Sequence, residues 1–90
     1  MEKIIEELIL KSRKINKICV EINKENFSEK EYSEIVSIID SFHEKRYAGI
    51  LKNMVENGKK EFYGKKIEDI AIEGLKRYSD ILNFLEEKGL

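Results

Sequence analysis

The 90-residue chain contains no proline or tryptophan and has only one cysteine and one histidine. A single cysteine excludes a disulfide scaffold, and one cysteine with one histidine is too few ligands for a structural zinc site. No window of about 18 residues is free of charge, so we expect no transmembrane helix. The glutamates in the first apolar run argue against a secretory signal peptide. We therefore expect a cytoplasmic protein without metal, cofactor or membrane contact.

The composition predicts one small folded domain over residues 1–90, with 41% hydrophobic and 39% charged residues and a net charge of -1. The charge is unevenly spread, because residues 58–66 sum to +3 and residues 67–90 to -3. Affinity for duplex nucleic acid grows with the number of phosphates that a protein neutralises. One short basic stretch is a narrow footprint, so we do not expect nucleic acid to be the main partner.

Apolar residues recur every three or four positions along most of the chain, which predicts amphipathic helices. The pattern predicts an all-α, antiparallel three-helix bundle with helices over about 2–25, 28–57 and 66–88. Ser28 and Glu31 form a capping box at the start of the second helix, and Gly58 and Gly89 suit the left-handed position just past a helix end. The wide apolar arc of the second helix predicts that it is the central element.

The continuity of this long second helix is open. It runs unbroken to Asn57, or it breaks near Ala48 and Gly49 to give four shorter helices. In an unbroken hairpin, Gly49 and Gly74 lie at the same level, and two glycines there allow the backbones to approach closely. The alternative is that Gly49 marks a kink.

The first candidate site is the basic loop between the second and third predicted helices. Its ammonium groups can neutralise phosphate or carboxylate, and an exposed aromatic ring can stack on a base or enter a membrane interface. The alternative is that the two aromatic rings close the end of the bundle. The residues of this loop are Lys59, Lys60, Phe62, Tyr63, Lys65 and Lys66.

The second candidate site is a polar layer inside the bundle. His43 and Arg46 fall within the apolar arc of the second helix, and antiparallel register places Glu7 and Tyr78 at their level. Such a layer could bind a small anion or supply acid–base groups. The alternative is a satisfied polar layer that fixes helix register. Asp40 and His43 have metal-ligand spacing, but one such pair is too few for a dimetal site.

The third candidate site is a second apolar stripe on the first helix, formed by Ile5, Ile9 and Val20. Apolar side chains outside the core of a small bundle can form an interface with another helix. A three-helix bundle of this size has a modest core, so we expect self-association into a homo-oligomer.

No set of residues forms a recognisable catalytic constellation, so we expect no enzymatic activity. The leading hypothesis is a non-catalytic helical protein–protein interaction module, such as a small regulator, inhibitor or immunity-type factor. The alternative is a bundle that binds a small ligand or nucleotide through the layer of His43, Arg46, Tyr78 and Glu7. The third hypothesis is weak nucleic-acid binding through the loop of residues 59–66.

Overall fold

The computed structural model describes residues 2–44 and 47–90, and it confirms an all-α fold. Four α-helices carry the core, and one two-stranded hairpin precedes the last of them. The elements are α1 (Glu2–Glu21), a short 3-10 helix (Lys24–Asn26), α2 (Glu29–Glu44), α3 (Ala48–Glu56), β1 (Glu61–Phe62), β2 (Lys65–Lys66) and α4 (Ile67–Glu87).

The connection between α1 and α2 is longer than predicted. The α1 helix ends at Glu21 rather than near residue 25, because Asn23 starts a separate 3-10 turn by accepting a hydrogen bond from the backbone N–H of Glu25 at 3.1 Å. Asparagine side chains favour such local bonds over helix continuation. The predicted cap at Ser28 is confirmed, since its hydroxyl accepts a bond from Glu31 N at 3.2 Å. The Glu31 carboxylate accepts from the Ser28 hydroxyl, not from the predicted backbone N–H.

The long second helix is broken, as in the four-helix alternative: α2 ends at Glu44 and α3 begins at Ala48. The burial of Phe42 and Leu51 explains the break, since both side chains are fully buried. Nine residues of continuous helix rotate a side chain by about 900°, so these two would point to opposite sides of one straight helix. A break between them lets both enter one core. The wide apolar arc therefore reflects two helices with different buried faces, not a central helix.

The central element is α4, which corrects the prediction for the second helix. It packs against α1, α2 and α3 and contributes six of the buried residues. Lys14 of α1 pairs with Glu86 at 3.4 Å, and Lys88 just beyond α4 pairs with Glu34 of α2 at 3.7 Å. The ion pair at Glu86, together with the proximity of Leu8 to Gly74, shows that α1 runs parallel to α4. The ion pair at Glu34, together with the Ser41–Arg77 hydrogen bond, shows that α2 runs antiparallel to α4.

Helices α1 and α4 approach each other closely at Gly74. A Cβ placed on Gly74 would lie 3.0 Å from Cδ1 of Leu8, whereas a Cβ on Gly49 would meet nothing within 4 Å. The predicted close packing of Gly49 against Gly74 is therefore wrong. The absent side chain of Gly74 makes room for Leu8 instead, and Gly49 lies exposed in the first turn of α3.

Both predicted glycine helix ends are confirmed. After α3, Gly58 N bonds to Val55 O and Lys59 N to Met54 O, with Gly58 at a φ of 76°. The same two bonds recur after α4, from Gly89 N to Glu86 O and from Leu90 N to Leu85 O. This pair of bonds is the Schellman motif, which satisfies the last carbonyls of a helix. After α3 it also ties the next segment rigidly to the helix.

Alanine substitutions on the two sides of the helix break test this core. We expect Phe42→Ala and Leu51→Ala each to lower the free energy of unfolding by about 2–5 kcal/mol, because each leaves a cavity in the core. Ile50→Ala is the matched control, since Ile50 is 47% exposed. Urea denaturation followed by circular dichroism measures all three. A loss for Phe42→Ala or Leu51→Ala no larger than that for Ile50→Ala would contradict the burial of both side chains in one core.

Candidate functional site: an aromatic groove beside a basic hairpin

The segment predicted as a loop forms a tight β-hairpin. Glu61 pairs with Lys66 and Phe62 with Lys65, and Tyr63 and Gly64 form the two-residue turn. Both turn residues have positive φ, 51° and 76°, which is typical of a type I′ turn. Sequence reasoning missed the hairpin because its strands are only two residues long. The available signal was the glycine at the second turn position, between two segments that can pair.

The hairpin presents its lysines to solvent and divides its aromatic rings between the core and the surface. All four predicted lysines are exposed: Lys59, Lys60, Lys65 and Lys66. Phe62 is half-buried against the core, with its ring 6.4 Å from that of Tyr47. Tyr63 is 90% exposed, although its ring lies 4.4 Å from that of Phe62. Phe62 thus helps to close the end of the core, whereas Tyr63 does not.

An open groove of about 800 Å³ lies between α3, the hairpin and α4. Its floor includes Leu8 and Gly74, so the close approach of α1 to α4 forms its base. Its apolar and aromatic lining comprises Leu8, Tyr47, Ile50, Leu51, Phe62, Tyr63, Ile70 and Tyr78. Sequence reasoning missed this groove, because its residues come from four elements and their juxtaposition depends on the break before α3.

Charged side chains of both signs border the groove. Lys76 and Arg77 lie on α4 between Glu73 and Asp80, at spacings that allow opposite charges to interact on one helix. Arg77 also donates a hydrogen bond to the Ser41 hydroxyl, which anchors its guanidinium to α2. These charges make a polar rim around an apolar floor, an arrangement common to sites that bind other molecules.

The predicted interior polar layer is not formed by the residues that the structure describes. His43 and Glu7 are exposed, and Tyr78 is buried against the ring of Phe42 at 5.2 Å. Arg46 lies outside the described residues. The prediction assumed one straight second helix facing α1 and α4, and the break before α3 removes that register. Of the predicted layer, Tyr78 is the described residue that lines the groove.

The predicted second stripe on α1 is also corrected. Ile5 is buried in the core and Ile9 is half-buried against it, so these two side chains do not face solvent. Val20 is 86% exposed and Leu10 is 61% exposed. Ile9 and Val20 are eleven positions apart, which places them within about 20° of each other around α1. The same face of the helix is therefore covered at Ile9 and open at Val20. What remains exposed on α1 is scattered.

The other kinds of site considered for the chain fall within the described ranges, residues 2–44 and 47–90. No group of three or more His, Cys, Asp or Glu side chains there is arranged to hold a metal ion. None of the helices in those ranges is both long and apolar enough to cross a bilayer. Cys19 is half-buried and packs against the core. Comparison of the chain with protein-family models, with curated proteins and with solved structures finds no match.

The positive φ of Tyr63 in the hairpin turn predicts how substitutions there change the free energy of unfolding. A non-glycine residue in the left-handed region costs about 1–2 kcal/mol, and asparagine tolerates that region better than most residues. We therefore expect Tyr63→Asn to raise the free energy of unfolding by up to about 1 kcal/mol. Tyr63→Val should lower it, because β-branched residues fit a positive φ poorly. Thermal unfolding measures both, and an Asn variant no more stable than the Val variant would contradict the assigned turn.

Proposed function

We propose that this chain is a non-catalytic interaction module that binds another protein through the groove between α3, the hairpin and α4. One observation carries the proposal: an open groove of about 800 Å³ lined mainly by aromatic and aliphatic side chains. Tyr47 and Ile50 line it while 37% and 47% exposed. The sequence favours an interaction module with a regulator, inhibitor or immunity-type role, but it pointed to the stripe on α1 and not to this groove.

The chemistry of the groove supports a partner with apolar anchor side chains. Burial of apolar surface stabilises an interface by about 25 cal/mol per Å², and tyrosines are enriched among the residues that dominate binding energy. Three aromatic residues, Tyr47, Phe62 and Tyr63, stand along one wall. On α4, the opposite charges of Glu73 and Lys76 can orient the partner through polar contacts at the rim of the groove.

Site-specific photocrosslinking tests the proposal. A benzophenone amino acid at position 50 should form an adduct with one protein when the chain is added to an extract of its source cells. The same amino acid at position 36 is the matched control, because Val36 is an aliphatic residue on α2 that is 36% exposed and does not line the groove. We expect no corresponding adduct from position 36.

Competition shows whether the adduct reports specific binding. Excess unlabelled wild-type chain should compete for the partner and reduce the adduct formed at position 50. Excess Val36→Glu chain should reduce it equally. Ile50→Glu should not, because a buried unpaired carboxylate opposes binding in an apolar groove. Equal adducts from both positions, or equal competition by both glutamate variants, would contradict the proposal. An adduct with a second copy of the chain would identify the partner as the chain itself, as the expected homo-oligomer requires.

A small ligand is the second candidate occupant. The groove volume lies within the range of about 300–1,000 Å³ that is usual for small-molecule sites, and Arg77 and Lys65 border it. This differs from the predicted ligand site, because His43 and Glu7 lie elsewhere on the surface. A thermal-shift screen against nucleotides and small anions tests it, since a ligand at 100 times its dissociation constant adds about 2.7 kcal/mol of stability. A stabilising compound that Ile50→Glu no longer binds would favour this candidate.

A further inference from the structure

The charge of the chain is concentrated in one continuous segment. Residues 45–66 contain seven basic and two acidic residues, a net charge of +5, while the remaining ten basic and sixteen acidic residues sum to -6. This segment includes α3 and the whole hairpin. This contrast in charge is not visible when charges are summed between predicted helix ends, because residues 45–57 are then counted apart from the hairpin. Because of this uneven charge, electrostatic attraction orients the molecule so that residues 45–66 face a polyanion.

The structure holds the hairpin lysines in a defined place rather than on a loose loop. The Schellman bonds after α3 fix the start of the hairpin at Lys59, and Ile67 N bonds to Lys60 O at 2.9 Å where the hairpin joins α4. Glu61 lies opposite Lys66 in the hairpin register and offsets part of its charge. Lys59, Lys60 and Lys65 have no such directly opposed acidic residue in that register. The hairpin therefore holds the backbone of four exposed lysines in place.

Tyr63 at the tip of the hairpin combines an unfavourable backbone conformation with an exposed ring. It occupies a left-handed backbone position, with a φ of 51°, that glycine or asparagine would adopt more readily. Its ring is 90% exposed, so burial in the core does not compensate for the strain. Strained residues that packing does not require cluster at functional sites. An exposed planar ring between lysines is suited to stacking on a nucleotide base.

We propose that the hairpin binds single-stranded nucleic acid, with Tyr63 stacking on an unpaired base and Lys59, Lys60, Lys65 and Lys66 contacting phosphates. This activity goes beyond the proposed protein-binding function and does not depend on it. A single strand is favoured over a duplex, because four lysines on a short hairpin form a narrow footprint and bases inside a duplex are already stacked. It is favoured over an anionic bilayer, because only one aromatic ring is exposed at the tip.

Fluorescence anisotropy with a labelled oligothymidylate of about 12 nucleotides tests the proposal directly. The logarithm of the binding constant should fall with the logarithm of salt concentration with a slope of about -3, as four contacts to a single strand require. Tyr63→Ala should weaken binding at least about fivefold, whereas Tyr63→Phe should retain it, because phenylalanine keeps the stacking ring. An unlabelled duplex of equal length should compete less well than the single strand.

Charge removal has a matched control in the same chain. Alanine at all four hairpin lysines should abolish binding, whereas alanine at four exposed lysines elsewhere should not: Lys3, Lys17, Lys24 and Lys30. Circular dichroism checks that every variant remains helical. No binding of oligothymidylate at about 50 mM salt would overturn the proposal. So would unchanged affinity in Tyr63→Ala, tighter binding of the duplex, or binding to phosphatidylserine vesicles without binding to the oligonucleotide.

Discussion

The contact between Leu8 and Gly74 is the constraint on which the rest of the structure depends. Gly74 has no side chain, and a Cβ there would lie only 3.0 Å from Cδ1 of Leu8 on α1. This approach brings α1 onto α4, the pair with the most extensive packing between helices. Glycine in a helix interior costs about 0.5–1 kcal/mol relative to alanine. The close packing of two long helices offsets that cost.

The same contact connects the core with the groove. Leu8 and Gly74 form part of the groove floor, while α3 and the hairpin form one wall. The break before α3 lets this helix turn onto α1 and α4, so that Leu51 enters the core and Ile50 remains at the groove edge. A groove open to solvent exposes apolar surface that a small domain would gain stability by burying.

Much of the fold could be predicted from local sequence patterns. Helical periodicity indicated the all-α class, and Ser28, Gly58 and Gly89 marked helix ends through bonds that involve only neighbouring residues. The break before α3 was one of two open alternatives, because Gly49 was its marker and no proline in the chain decided between them. Its signal was the half-turn offset between Phe42 and Leu51, which the wide apolar arc concealed. Interpretation of this arc as one helix buried on two sides led to the wrong prediction that the second helix is the central element.

The candidate site was predictable only where it is local. The basic hairpin lies within eight consecutive residues, 59–66, and sequence reasoning identified its lysines and Tyr63, though not its strands. The groove joins residues as distant as Leu8 and Asp80, so its position depends on helix packing that periodicity does not specify. The interior polar layer failed for the same reason. It combined His43 and Glu7 through an assumed register, and both side chains lie in solvent.

A double-mutant cycle on Leu8 and Gly74 tests the central packing most directly. In the wild-type background, Gly74→Ala introduces a Cβ that meets Leu8, so we expect no gain in stability or a net loss. In the Leu8→Ala background, that obstacle is absent, and the higher helix propensity of alanine should stabilise the chain by up to about 1 kcal/mol. A coupling free energy near 1 kcal/mol, of the size found between contacting residues, is the predicted result. Equal effects of Gly74→Ala in both backgrounds would contradict the account.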